Sequence, residues 1–504
     1  MRRAAAWVPL ACAACVGETA APSDLIAVSG VAPWSASCAG PAGQGTVSRD
    51  AEVEPALAAD PSDPKHLIGV WQQDRWSNGG ANGLVSGTSF DGGRTWTLGA
   101  AKFTRCSGGV FDRATDPWVS IGEGGVAYQI GYAFDMTAPN RAMLVSRSMD
   151  GGRSWEAPIV LQQDTDPDLA MDKETITADP LDGRYAYAVW DRLTGFTNPT
   201  NPQNTGPVWF ARTTDRGATW EAARNVYDPG PDAQTIANQI VVLPDATLVD
   251  LLVVISNNSS TNPIATITVV RSKDRGNTWL PPVAIAEAQF VGVTDAKTKT
   301  GVRTGSVVPG IGVDRASGAL YVAWEDARFS QGAHDSVALS KSIDGGSSWS
   351  APAQVNVKAP GAPAFTPAVA VADGGTLGVS FYDLRNDDPA DHTRLTVTHW
   401  LATSNDGGKS FSETSIGTPF NLQGAPLVDG PAYFLGDYQG LAHAGAVFLP
   451  FFAAVPDGGG AANIYFRPAD AATARAGALE LAVEGVQEIW RGARERWRFG
   501  TLFK

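Results

Sequence analysis

The chain has 504 residues, with 38 Lys or Arg against 52 Asp or Glu, for a net charge of −14. That balance excludes the basic stripe of a nucleic-acid binder, and the 5 His and 4 Cys show no zinc-like spacing. Gly at 55, Pro at 33 and Trp at 16, with only 18% charged residues, predict an all-β, turn-rich chain.

The N-terminus begins Met1-Arg2-Arg3-Ala4-Ala5-Ala6-Trp7 and runs on through small apolar residues. Two arginines before a short apolar run resemble a secretory signal peptide, residues 1–22, with cleavage between about 14 and 22. The run is too short to span a bilayer. The expected location is secreted, periplasmic or cell-surface. Cys12 or Cys15 as a lipoprotein anchor is an alternative, although the residues before each fit a lipobox poorly. Past this segment Cys38 and Cys106 remain. In an exported chain they read as one disulfide, the alternative being two free thiols. Residues 23–50 are rich in Gly, Ala and Ser and read as a loose lead-in.

From residue 51 to 470 one phrase organises the chain. It first appears as Ser89-Phe90-Asp91-Gly92-Gly93-Arg94-Thr95-Trp96 and returns around Asp150, Asp215, Asp274, Asp344 and Asp406. The six Asp lie 59, 65, 59, 70 and 62 residues apart, the period of a propeller or array. Each copy sits between two β-type runs and reads as a hairpin turn. The Asp accepts from backbone N–H groups ahead of it, the Gly two residues on suits a positive φ, and the aromatic packs into the adjoining core. The phrase is a structural staple rather than a catalytic site.

Each turn joins the third and fourth strands of a four-strand unit. The first unit reads Val53–Ala59, His66–Trp71, Leu84–Ser89 and Thr95–Leu98, and the same grammar recurs five times. Tyr433–Leu441, Ala446–Val455 and Asn463–Arg467 add three strands without a turn phrase. Closed by one N-terminal strand, they complete a single β-propeller. The count is seven blades, or six if two segments share a blade. Residues 471–504 place Leu479, Val483, Val486, Trp490 and Trp497 at helical spacing, which predicts a C-terminal amphipathic helix.

The turn phrase resembles the Asp-box, or BNR repeat, S-x-D-x-G-x-[TS]-[WF], of the sialidase-like superfamily of β-propellers, and especially secreted bacterial sialidase-like proteins. The resemblance spans about residues 50 to 470. It implies a glycan-acting hydrolase with a cluster of arginines for a substrate carboxylate, a Tyr nucleophile assisted by a Glu, and an Asp acid. Tyr438, in Asp437-Tyr438-Gln439-Gly440-Leu441, resembles the family's late Tyr. Arg75 resembles its early Glu-Gly-Arg. The family's Phe/Tyr-Arg-Ile-Pro arginine is absent, since the first strand reads Glu52-Val53-Glu54-Pro55.

Strand alternation places the ionisable residues on the face opposite the turns. At the ends of second strands stand Asp74-Arg75-Trp76, Asp191-Arg192, Glu325-Asp326-Ala327-Arg328 and Asp383-Leu384-Arg385. At the entries to first strands stand Glu54, Asp112-Arg113 with Asp116, Asp172-Lys173-Glu174, and Asp437-Tyr438. About half of the acid–arginine pairs are expected to be ties between blades. The rest form a polar cup. The leading reading is an exported exo-α-sialidase or related glycosidase. Tyr438 or a nearby carboxylate is the nucleophile, assisted by Glu174 or Asp437, and Asp74 or Asp116 is the acid. Arg113, Arg328 and Arg385 anchor the substrate. Arg75, Arg192, Asp191, Glu325, Asp383 and Trp76 are further substrate contacts. A second reading is a non-catalytic carbohydrate-binding propeller, with Trp71, Trp76, Trp190 and Trp324 stacking on sugars. A third uses two carboxylates roughly 5–9.5 Å apart. The expected ligand is a glycan or other small polar molecule in the central cup. No cofactor, metal or nucleic acid is expected, and the chain is expected to be a monomer.

Overall fold

The structure, a computed structural model, describes residues 25–41 and 45–470. The signal peptide read at 1–22 and the helix read at 471–504 lie outside the described residues. Among the described residues no helix is long and apolar enough to cross a membrane.

The chain is an all-β propeller of four-stranded antiparallel units. Blade 1 is Val47–Ala59, Leu67–Trp76, Ala81–Ser89 and Thr97–Ala100. Blade 2 is Arg113–Ile121, Ala127–Phe134, Arg141–Ser148 and Ile159–Asp164. Blade 3 is Ala170–Ala178, Ala186–Leu193, Val208–Thr213 and Arg224–Tyr227. Blade 4 is Ala233–Val242, Leu248–Ser256, Ile264–Ser272 and Val283–Glu287. Blade 5 is Gly310–Val313, Leu320–Asp326, Ser336–Ser342 and Ala353–Gln354. Blade 6 is Ala364–Val371, Leu377–Asp383, Thr396–Ser404 and Ser412–Ser415. Blade 7 takes Gly440–Ala444, Val447–Ala454 and Asn463–Phe466 from the C-terminal part and Ile26–Ala27 from the N-terminal part. The first strands adjoin one another in chain order, and that of blade 7 lies against that of blade 1.

Two sequence expectations change. Residues 25–41 are not a loose lead-in. Besides supplying the edge strand of blade 7, they place Trp34 Nε1 2.9 Å from Asp74 Oδ2 and carry Cys38, disulfide-bonded to Cys106. The single strand read at Tyr433–Leu441 is broken. Ala432–Phe434 joins a small sheet, parallel to Gly301–Arg303, and blade 7 begins only at Gly440. Gly436 sits between them at φ 139, where a Cβ would come 2.8 Å from the Glu54 amide nitrogen. A side chain there would push blade 7 off blade 1.

The six turns share one set of bonds. The leading Ser or Thr hydroxyl reaches the Asp Oδ1 at 2.7–2.8 Å. The later hydroxyl reaches Oδ2 at 2.5–2.6 Å. Bonds to the charged form hold these carboxyls low; hydrogen bonds from Thr95 bring Asp91 to about 2. The closing aromatic packs on the preceding blade: Trp96 on Phe451 and Phe466, Trp220 on Tyr128, Trp279 on Phe210. The turn therefore locks blade to blade as well as strand to strand.

The second Gly of the turn meets both demands. Gly152 has φ 84, and a Cβ there would lie 2.7 Å from Ile68 Cδ1 and from Thr88 Oγ1 of blade 1. Gly92 has φ 77 but faces open space. Gly92→Ala is expected to cost about 1–2 kcal/mol of backbone strain. Gly152→Ala adds overpacking of about 1–3 kcal/mol. Chemical denaturation of the two variants measures the difference, and Gly152→Ala is expected to be the less stable.

Candidate functional site

Five of the seven first strands carry a bulge at one level. The register shifts between Val53 and Ala56, Thr115 and Trp118, Asp172 and Thr175, Ile236 and Gln239, and Phe365 and Ala368. In each, one residue has left-handed backbone: Glu54, Asp116, Lys173, Ala237 and Thr366, with φ between 47 and 66. Left-handed backbone costs roughly 1–2 kcal/mol at a non-glycine residue. Bulges of this kind re-aim a side chain. Counting back from the first paired residue, the matching positions of blades 5 and 7 are Val308 and Tyr438. The ring of seven is therefore lopsided. Blades 7, 1, 2 and 3 present Tyr438, Glu54, Asp116 and Lys173, whereas blades 4 to 6 present Ala237, Val308 and Thr366.

The polar half collapses onto one ammonium. Lys173 Nζ lies 2.5 Å from Asp116, 2.9 Å from Asp437, 3.7 Å from Asp172 and 3.8 Å from Glu54. Arg303, from the small sheet, clasps Asp437 with Nε and a terminal nitrogen. The Asp437 amide donates to Glu54 Oε1 at 3.3 Å. Arg75 and Arg303 both lie over the Phe434 ring, at 4.8 and 4.9 Å. Burial opposes the charge on Asp437, but Lys173 and Arg303 together hold its carboxyl well below the usual range. Burial, reinforced by Asp116, pushes Glu54 up to about 7. Burial pushes Glu174 well above its ordinary value, and its oxygens have no hydrogen-bond partner beyond its own backbone amide.

The structure places the sequence candidates in three groups. Asp116, Asp437, Glu174 and Tyr438 do meet at the axis. Tyr438 is not activated: its hydroxyl donates to the Pro117 carbonyl at 3.0 Å, and burial raises its pKa well above 10. Asp74 does not serve as an acid. It accepts from Trp34, Arg49, Asn82 and the Asp50 amide, tying down the lead-in.

The substrate arginines do not converge. Arg192 is bidentate to Asp164 of blade 2, Arg328 to Asp326, and Arg385 to Asp383 and Glu413. Arg113 is buried over Trp76 and donates to Asn78 and the Gly79 carbonyl. Arg75 is buried and donates to Gln72 at 2.9 Å. Each guanidinium is taken up close to its own strand. The acids are ties as well. Asp191 accepts from the Ala237 amide at 3.1 Å, and Glu325 from the Thr366 amide at 2.8 Å, each holding the bulged residue of the next blade. Asp383 accepts from Trp400 within its own blade. Trp71, Trp190 and Trp324 are fully buried and offer no face to a sugar. Trp76 is buried too, bonded to Asn82.

Glu54 and Lys173, noted only at first-strand entries, and Arg303 are the residues to which sequence reasoning gave no role in the site. Repeated Glu54-Pro55, Asp116-Pro117, Val308-Pro309 and Thr366-Pro367 steps are the signal for the bulge level. Nothing comparable flags Arg303, which lies in a long insertion between blades 4 and 5.

The first strands enclose a cavity of about 640 Å³. Lys173, Glu174 and Tyr438 line it at the bulge level, and Asp60, Pro180, Arg315 and Asp373 line it at the loops from first to second strands. Those loops share a face with the turns; His66, beside Asp60, bonds the Gly151 carbonyl at 2.9 Å. The cavity thus reaches the face of the turns, opposite the one on which strand alternation places the ionisable residues.

No protein-family model and no curated protein matches the chain. Among solved structures it is similar to the Hadza microbial sialidase Hz136, at 16% identity over 82% of this chain and 75% of that one, TM-score 0.47. It is also similar to the Penicillium chrysogenum α-L-arabinanase complexed with arabinobiose, at 11% identity over 88% of this chain and 97% of that one, TM-score 0.44. A polysaccharide lyase, an ulvan lyase, is 11% identical over 72% of this chain and 81% of that one, TM-score 0.45.

Buried acids shape the pH dependence of stability, Glu54, Glu325 and Glu52 among them. Burial raises Glu54 to about 7, Glu325 to about 8 and Glu52 to about 9. In the unfolded chain each ionises near 4.5. Their contribution is full below that pH and is lost as pH rises through the folded values. Asp437 and the turn Asp residues act oppositely, losing theirs only as pH falls below about 4. The melting temperature is expected to be highest near pH 5 and to fall by several degrees at pH 9. Glu52→Gln, which cannot ionise, is expected to shrink that fall by roughly 2–4 °C in a pH series of thermal melts.

Proposed function

We propose that the chain is an exported glycoside hydrolase that works with two carboxylates, Asp437 and Glu54, rather than with an activated tyrosine. The observation that carries this reading is the contrast in surroundings of two neighbouring acids, Asp437 paired with Lys173 and Arg303 and Glu54 buried beside Asp116. Asp437 is held ionised by Lys173 and Arg303, and Glu54 is held protonated near neutrality. Paired carboxyls whose environments drive their pKa values apart are the acid and base of glycoside chemistry. Both lie within 4 Å of Lys173 Nζ, which makes them neighbours at the axis.

In this reading Glu54 protonates the glycosidic oxygen. Asp437 attacks the anomeric carbon, and the covalent intermediate is then hydrolysed with Glu54, now a base, activating water. Arg303, its side chain 45% exposed, is the outermost member and orients the sugar. Without an arginine triad, an exo-α-sialidase is the weaker form of the proposal and a hydrolase of neutral glycans the stronger.

A second reading, a non-catalytic glycan-binding propeller, is favoured by one observation. Glu54, Asp116 and Asp437 are each no more than 3% exposed. In that case the cluster is a knot that holds the axis together.

A screen of the purified protein against fluorogenic glycosides, including sialosides and arabinosides, separates the two. Turnover is expected, reduced at least about 10³-fold in Asp437→Asn and Glu54→Gln and within about threefold of wild type in Tyr438→Phe. The rate is expected to fall above about pH 7 as Glu54 ionises. Glycan binding without turnover on any substrate would select the second reading.

A further inference from the structure

The cavity within the first strands is not part of the hydrolytic reading. Its volume, about 640 Å³, lies inside the range of small-molecule pockets, roughly 300–1,000 Å³. Its walls mix polar and apolar surface in nearly equal measure, the apolar part including Val119, Ile240, Ile311, Val369 and Leu441 from five different blades.

We propose that this cavity binds an apolar amine, with its ammonium at Glu174 and its hydrocarbon along the first strands. Glu174 lines the cavity at the bulge level, is 2% exposed, and has no hydrogen-bond partner beyond its own backbone amide. A buried carboxyl left unpaired costs free energy that a donor from a ligand removes. Glu54, Asp116, Asp172, Glu174 and Asp437 are grouped with only Lys173, Arg75 and Arg303. Lys173 is already engaged by Asp116 and Asp437 at 2.5 and 2.9 Å, so its charge is offset before Glu174 is reached.

The groups acting on Glu174 are Asp116, Asp172 and Lys173, and those it acts on in turn are Tyr438 and Tyr132. Burial and the neighbouring acids keep Glu174 protonated while the site is empty. An arriving ammonium forms an ion pair with the carboxylate, and the Glu174 proton passes to solvent. No bond in the ligand breaks. The loops at the other end carry Asp60 and Asp373 besides Arg315, and the whole chain is at −14, so entry favours a cation over a carboxylate.

Isothermal titration of the full chain at pH 7.5 with n-hexyl- to n-decylamine, and with the matching alcohols, tests this. One saturable site is expected, with amines at least tenfold tighter than alcohols and roughly fourfold gained per methylene until the cavity fills. Titrations in two buffers of different ionisation enthalpy are expected to show about one proton released per amine bound and none per alcohol. Glu174→Gln is expected to abolish the amine preference and the proton release while alcohols still bind. Ala58→Phe, at the wall, is expected to weaken both ligands. The proposal is overturned by the absence of saturable binding, by alcohols matching amines, or by a preference that survives in Glu174→Gln. Should that variant not fold, amine binding by the wild type without proton release overturns it equally.

Discussion

One ammonium group holds the centre of the molecule. Lys173 lies on the axis with carboxyls from blades 1, 2 and 3 and from the entry to blade 7 within 4 Å. Such a group is expensive to bury alone and tolerable only when fully paired. The bulges make the pairing geometrically feasible. Each bulge turns one residue of a first strand into left-handed backbone, so neighbouring blades present matching positions to a shared point. Strain in the backbone is exchanged for charge neutralisation across blades. Removing Lys173 would leave several carboxyls facing one another, which links the integrity of the axis to the charge states on which the functional reading depends.

Around that centre the propeller is held by two further kinds of tie. The turns lock each blade to the one before through an aromatic ring and a glycine with no room for a Cβ. On the other face, buried acids cap the amides of the next blade's bulged residues, as Asp191 does for Ala237 and Glu325 for Thr366. The arginines that resemble substrate anchors are consumed in the same way, satisfied by carboxylates before any ligand arrives. A guanidinium already held bidentately offers little to a substrate carboxylate. For this reason the proposed chemistry rests on the carboxylate pair at the axis and not on a tyrosine and an arginine triad.

The architecture was legible because the turn is local. Asp91 and its five counterparts bond residues within four positions of themselves, so eight letters of sequence contain the whole motif. The closing blade followed from strand counting. The site was only half legible. Asp116, Asp437, Glu174 and Tyr438 meet as their places at first-strand entries implied, but the hub did not stand out from its acidic neighbours. Lys173 reaches the axis because of a bulge, a backbone feature that local propensity does not encode. Arg303 arrives from an insertion with no periodic signal, by a parallel strand pairing between residues more than a hundred positions apart. The acid–arginine pairs were ambiguous for another reason: a tie and an anchor have the same sequence, and only the partner's position distinguishes them. The pairs seen are ties, including those expected to reach the cup.

The claim on which the account rests is that Glu54 and Asp437, neighbours on one ammonium, differ in protonation near neutral pH. Carboxyl carbon NMR of protein labelled at Glu and Asp, with Glu54→Gln and Asp437→Asn identifying the two signals, measures it directly. The account predicts a Glu54 resonance that titrates near 7 and an Asp437 resonance that stays ionised from pH 9 down to below 3. A Glu54 signal titrating near its ordinary value of about 4.5, in step with exposed glutamates, would contradict it.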